Sequence, residues 1–135
     1  MLYSLAVIMQ QEGDYPAAEA LLKQLLEIQP TNTRVWFSLG TLYQQQGQLT
    51  AAISTYKQAL RTAPEADVVT LAIYHNLGYA LQQQGNWDEA IEYYQSAREL
   101  APDCAEAEAM WANALHAQGR LSTEEKNAML LSIML

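Results

Sequence analysis

The chain has 135 residues, half of them apolar, and fifteen acidic against seven basic side chains leave a net charge of −8. That is enough apolar material for one core and a single domain over residues 1–135, while the negative charge opposes the attraction to phosphate on which nucleic-acid and anionic-membrane binding depend. One cysteine, Cys104, excludes an internal disulfide and fits a reducing, cytoplasmic setting.

Four glycines, Gly13, Gly47, Gly85 and Gly119, stand 34, 38 and 34 residues apart. Their neighbours recur in phase: Leu5, Leu39, Leu77 and Trp111 eight before, Ala18, Ala52 and Ala90 five after, Pro30, Pro64 and Pro102 seventeen after. A period of this size marks stacked repeats. Two stretches of helical apolar spacing on either side of each glycine make every unit a helical hairpin, with no strand signal.

In chain order, the run Met1 to Met9 is apolar apart from Ser4. It lacks a basic leader and is far shorter than the ~20 residues of a bilayer span, so it is expected as a buried helix. Asp14 before Tyr15 and Pro16 opens the partner helix of a first unit, residues 1–32. The second unit covers 33–66. Every landmark then moves by 38 rather than 34, which inserts four residues near Asp67 to Thr70. Four residues are one helical turn, about 6 Å; with Val68, Val69 and Leu71 there, the next helix is expected to start early, either presenting an apolar tip or packing locally. The third unit covers 71–104, with Asn86 and Glu89 at capping-box spacing.

A degenerate fourth repeat, 105–135, opens with Asp103 and Glu106 at the same spacing and keeps Trp111, Ala112, Leu115 and Gly119. Glu124 then stands where the small alanine belongs, so its second helix is expected to pack differently. Ser122 with Glu125 predicts a terminal helix from about residue 123. Its last seven residues are apolar except Ser132 and need cover, from a longer array, from the open end of the stack, or from a second copy in a homodimer through residues 128–135.

The second unit resembles a tetratricopeptide repeat, whose signature of Trp, Leu, Gly, Tyr, Ala, aromatic, Ala and Pro is met by Trp36, Leu39, Gly40, Tyr43, Ala52, Tyr56, Ala59 and Pro64. The third unit is similar through Tyr74, Leu77, Gly78, Leu81, Ala90, Tyr94, Ala97 and Pro102, and the first more loosely through Leu2, Leu5, Ala6, Met9, Ala18, Leu22, Leu25 and Pro30. This resemblance implies an all-α, right-handed superhelical solenoid of antiparallel helix pairs, three to four repeats long. It also implies a protein-binding scaffold or adaptor. The small residues let paired helices approach closely while the aromatics fill the gaps between units, so Trp36→Ala is expected to cost roughly 3 to 5 kcal/mol.

Repeats of this family line a concave groove with an inner stripe of each first helix. Carried onto this chain, the stripe comprises Tyr3, Phe37, His75 and Ala109, then Val7, Thr41, Tyr79 and Asn113, then Gln10, Gln44, Gln82 and His116, with Ser4, Ser38, Asn76 and Met110 beside it. Such a groove is aromatic and amide-rich. Arg34 is its one basic residue, which argues against the carboxylate clamp of chaperone-adaptor repeats and for an extended peptide or a partner's helix. The glutamine runs Gln10–Gln11, Gln44–Gln46 and Gln82–Gln84 recur at the ends of three first helices, as an amide ladder or as ordinary exposed helix formers.

His75 and His116 lack neighbours at metal-ligand spacing, and Cys104 lacks a base in a catalytic arrangement. No cofactor, metal or enzymatic activity is therefore expected. Residues 71–135 carry nine acids against three bases, compared with six against four before them, so a basic partner would prefer the second half. The enlarged spacing between the second and third units, with Ala59, Leu60, Ile73, Tyr74, Leu77 and Gly78 around it, is also similar to the repeat region of photosystem I assembly proteins of cyanobacteria and chloroplasts. Two further roles stay open: a self-associating structural module working through the apolar terminal helix, and a regulatory domain detached from a larger enzyme.

Overall fold

The computed structural model describes residues 2–63, 67–119 and 122–134. Among these residues eight helices follow one another: α1 (Leu2–Gln11), α2 (Tyr15–Ile28), α3 (Thr33–Gln45), α4 (Leu49–Thr62), α5 (Val68–Gln83), α6 (Trp87–Leu100), α7 (Ala105–Ala117) and α8 (Thr123–Met134). Met1, Pro64 of the second signature, and Leu135 lie outside the described residues. Sequence neighbours pack on one another, α1 on α2, α2 on α3, α3 on α4, α6 on α7 and α7 on α8, as a stack of helix pairs requires. The chain divides into two compact units, residues 1–73 and 74–135, with the boundary inside α5.

The turn glycines do what their spacing predicts. Gly13, Gly47, Gly85 and Gly119 all have φ between +75° and +90°, the left-handed conformation that closes a helix cheaply only without a Cβ. In the first three turns the next residue's amide reaches back to a carbonyl five residues earlier: Asp14 to Met9 at 2.8 Å, Gln48 to Tyr43 at 2.9 Å, and Asn86 to Leu81 at 2.9 Å. These bonds satisfy helix-end carbonyls that would otherwise lack partners.

In the first unit the core gathers Ala6 from α1, Ala18, Leu22 and Leu26 from α2, and Val35, Leu39 and Leu42 from α3, with Trp36 and Tyr43 packed against it. Trp36 also donates its Nε1 hydrogen to the Pro30 carbonyl at 2.9 Å. In the second unit Leu77, Leu81, Ile91, Tyr94, Leu115 and several alanines are buried. Arg98 lies over the Trp111 ring, 3.9 Å from its centre, and pairs with Glu108.

One local rule recurs in the second and third repeats. A Cβ placed on Gly40 would meet the Tyr56 ring at 2.6 Å, and one on Gly78 would meet the Tyr94 ring at 2.5 Å. Each glycine therefore exists to admit a fully buried tyrosine from the partner helix. The phenol at the far end needs an acceptor, which is Gln44 Oε1 at 2.7 Å from Tyr56 and Gln82 Oε1 at 2.9 Å from Tyr94. The first hairpin has Ala6 and Leu22 at the matching places, both buried; with no phenol to serve, Gln10 bonds instead to Gln45 at 2.6 Å.

Three sequence expectations need correcting. The opening helix is not buried as a whole: only Ala6 among its described residues is fully so, and Leu5 is 43% exposed where its counterpart Leu39 is 3% exposed. Leu39 shares a buried cluster with Leu22 and Leu26 of the preceding α2. Asp103 is not the cap of α7. That place belongs to Cys104, without a side-chain bond, because the turn lets the Cys104 amide bond to the Ala101 carbonyl. Asn86 occupies the cap of α6 but makes no side-chain capping bond there, its amide turning to Gln84 Oε1. Asp14 and Ser122 do cap, accepting from the amides of Ala17 and Glu125. Asn32, which the motif reading passed over, caps α3 through the amides of Arg34 and Val35.

Candidate binding cleft

The inserted turn lengthens α5 to 16 residues, against 13 in α3 and α7. Asp67 anchors its start by accepting from the Val69 amide. Thr70 faces inward and is buried, while Val68 stands 81% exposed, an unusual state for a branched apolar side chain at a helix start. The expected apolar tip is therefore present, and it has a neighbour: Val68, Val69 and Ala72 form one wall of an open cleft of about 360 Å³ in the first unit.

The remaining walls come from α1 and α3. Tyr3, Val7 and Gln10 lie at helical spacing along α1, and Arg34, Phe37, Ser38 and Thr41 along α3. The two helices are joined across the cleft by Tyr3 Oη and Ser38 Oγ at 2.8 Å, and beyond it by the Gln10–Gln45 amide pair. Behind the lining, the Phe37 ring meets the Tyr56 ring, centres 5.9 Å apart. Tyr56 is held by Gln44 and lies 3.3 Å from the Thr41 hydroxyl, which itself donates to the Phe37 carbonyl at 3.0 Å. Phe37 in the lining is thus backed by a fixed, buried Tyr56 ring, and Arg34 is the one charged residue among the described lining residues.

Seven residues chosen from the sequence, Tyr3, Val7, Gln10, Arg34, Phe37, Ser38 and Thr41, come together in this cleft. Gln44 does not line it; its side chain supports Tyr56 from behind. Val68, Val69 and Ala72 were missed as lining residues, although the four-residue shift in the repeat was the signal. The choices in the second unit lie on α5 and α7. There Tyr79 and Asn113 are exposed, while His75, Asn76, Gln82, Met110 and His116 are half-buried. Gln82 holds Tyr94 as Gln44 holds Tyr56, and burial, with the neighbouring Tyr79, pushes the Tyr94 phenol far above its ordinary pKa. The His75 Nε2 has no hydrogen-bond partner among the described residues. Of the glutamine runs, Gln10 and Gln45 bond amide to amide across α1 and α3, whereas Gln44 and Gln82 are committed to buried tyrosines.

A second cleft in the first unit, of about 380 Å³, is walled by Trp36, Leu39 and Tyr43 with Lys23, Leu26, Glu27 and Thr55. It is a seam in the packing of the signature residues. At its edge Tyr43 donates to Glu19 at 2.8 Å and Lys23 pairs with Glu19 at 3.0 Å. No group of three or more His, Cys, Asp or Glu side chains converges among the described residues, and no described helix is long and apolar enough to cross a membrane.

Residues 9–72 match one tetratricopeptide repeat model and residues 72–104 match another. No curated protein matches the sequence significantly. Among solved structures, a MamA protein is similar over 98% of this chain and 71% of its own, at 22% identity and a TM-score of 0.83. YrrB, described as a TPR protein with an unusual peptide-binding site, is similar over 98% of this chain and 66% of its own, at 20% identity and a TM-score of 0.80. The O-GlcNAc transferase of Thermobaculum terrenum reaches 26% identity and a TM-score of 0.81 over 98% of this chain, but that is only 25% of the enzyme. These findings lend no support to the narrower likeness to photosystem I assembly proteins. Repeats of this kind are protein-interaction modules rather than catalytic ones. With consecutive repeat models matched from residue 9 to residue 104 and glycine-turned helix pairs in the same order, the chain belongs to the tetratricopeptide repeat family.

Proposed function

We propose that this protein is a binding scaffold or adaptor that holds a segment of another polypeptide against the first-unit cleft, in the service of complex assembly. The observation that supports this reading is the cleft itself, with apolar and aromatic walls, a Phe37 ring backed by Tyr56, and hydroxyl and amide groups from Ser38, Thr41 and Gln10 at its margin. Rigid aromatic surface binds at low conformational cost, and the polar groups can pair with a peptide's main chain. We assign the same use to the corresponding stripe of the second unit, His75, Asn76, Tyr79, Met110, Asn113 and His116, with Gln82 supporting it from behind through Tyr94.

The test is selection of peptides from a random display library on the wild-type chain, followed by affinity measurement on Phe37→Ala. Selected peptides are expected to bind the variant at least about tenfold more weakly, with its helical circular dichroism unchanged. Equal affinity for a correctly folded variant would remove the cleft from the binding surface and the reading with it.

A further inference from the structure

The seam between α2 and α3 holds a charge that nothing in its surroundings answers. Glu27 lines the cleft of about 380 Å³ together with Leu26, Trp36, Leu39 and Tyr43, and no ion pair or hydrogen bond engages its carboxylate among the described residues. The resident cation, Lys23, pairs with Glu19 instead, and Glu19 also accepts from Tyr43. That bond fixes the antiparallel register of the two helices. With Tyr43 level with Glu19, Glu27, two turns further along α2, stands level with the first turn of α3, where Trp36 lies. Trp36 is half-buried, and its bond to the Pro30 carbonyl pins the indole. A fixed indole and an unpaired carboxylate thus meet on the side of α3 opposite the Arg34–Thr41 stripe.

The chain itself shows what an equivalent seam can hold. Leu26, Trp36 and Leu39 stand 21, 11 and 8 residues before Gly47, and Arg98, Glu108 and Trp111 stand at the same distances before Gly119. In that later seam, between α6 and α7, the Arg98 guanidinium lies 3.9 Å from the centre of the Trp111 ring and pairs with Glu108. Cation, indole and carboxylate form a complete set there. The first-unit seam keeps an indole and a carboxylate, on exchanged helices, but a buried leucine, Leu26, takes the place of the arginine. Two of the three partners are present and the third is missing.

We infer that this seam receives an arginine side chain from a partner polypeptide, its guanidinium over Trp36 and paired with Glu27, its methylenes against Leu26 and Leu39. Arginine fits better than lysine because its planar group can stack on a ring and bond a carboxylate through two N–H groups at once, while the stem covers apolar surface. The net charge of −8 favours the approach of a basic segment. The second half carries more acid, but its equivalent seat is already filled by Arg98. This site is separate from the Tyr3–Phe37 cleft and does not depend on how that cleft is used.

The experiment is an NMR titration of the full, isotope-labelled chain with the acetylated and amidated peptide Gly-Gly-Arg-Gly-Gly, read at the Trp36 indole N–H. Trp36→Phe assigns that signal among the three tryptophans. The control peptide carries citrulline, the neutral counterpart of arginine. The arginine peptide is expected to shift the Trp36 indole in a saturable way, and the citrulline peptide to bind at least about tenfold more weakly. Glu27 is exposed, so Glu27→Gln should keep its helices by circular dichroism and lose about fivefold in affinity for the arginine peptide. An unmoved Trp36 indole, an equal response to citrulline, or full affinity in Glu27→Gln would each overturn the inference. Shifts confined to the Tyr3–Phe37 cleft would overturn it too, since the arginine would then belong there. If the Trp36 indole moves with protein concentration alone, the seam belongs to a second copy of the chain and the inference falls. Peptide selection against Phe37→Ala reads the other cleft separately, so either reading can fail without the other.

Discussion

Replacing Gly40 by alanine tests whether the buried tyrosine dictates the close approach of α3 and α4. An ordinary glycine-to-alanine change inside a helix gains about 0.5–1 kcal/mol. Here the new methyl would sit 2.6 Å from Cδ1 and Cε1 of Tyr56, so the ring must withdraw by about 1 Å to reach a normal carbon contact. That ring is completely buried, packed against Phe37 and held at its far end by Gln44. Overpacking of this kind costs about 1–3 kcal/mol, and against the gain in helix propensity it leaves a net loss of up to about 2.5 kcal/mol. The first hairpin shows the remedy, with Ala6 and Leu22 buried at the matching positions. Gly40→Ala combined with Tyr56→Leu should therefore be more stable than the sum of the single changes, by about 1 kcal/mol or more. Urea unfolding of the wild type, both single variants and the double variant, followed by circular dichroism, measures this. Strict additivity, or a Gly40→Ala protein more stable than wild type, would refute the argument.

Two further outcomes follow from the same packing. Trp36 is only half-buried, so Trp36→Ala should lower unfolding free energy by about 2–3 kcal/mol, less than the ~3–5 of a fully enclosed aromatic, whereas Trp36→Phe should lose about 1 kcal/mol through the missing bond to the Pro30 carbonyl. Hydrogen bonds from Lys23 and then Tyr43 hold the Glu19 carboxyl below its usual pKa. The folded state thus favours the charged form, and its contribution is present above the unfolded carboxylate pKa and lost as pH falls through the lower folded value. The stability difference between wild type and Glu19→Gln should accordingly be constant above about pH 5 and shrink in acid. It should not exceed about 1 kcal/mol, because Lys23 is largely exposed. A series of urea midpoints across pH checks this, and a difference independent of pH would count against the pairing.

The repeat period by itself determined the helix pairs and their turns. Gly13, Gly47, Gly85 and Gly119 are read directly, since a left-handed turn is a local requirement of the backbone. Gly40 against Tyr56, and Gly78 against Tyr94, are not: the spacing pairs the small residues with one another and sets the aromatics between units, whereas each glycine admits a buried ring from the partner helix of its own hairpin. Seven lining residues of the first-unit cleft followed from the inner stripe of α1 and α3 and the positions beside it. The tertiary structure alone decided the rest. Whether Leu5 is covered as Leu39 is depends on a neighbouring helix, not on the residue. Gln44 and Gln82 look like surface amides until the buried phenols beside them are seen. Val68 and Val69 become a wall only when the lengthened α5 lies alongside α1 and α3. Periodicity says which face a side chain occupies on its own helix, whereas cover, acceptors and cleft walls depend on the register between helices that are distant in the chain.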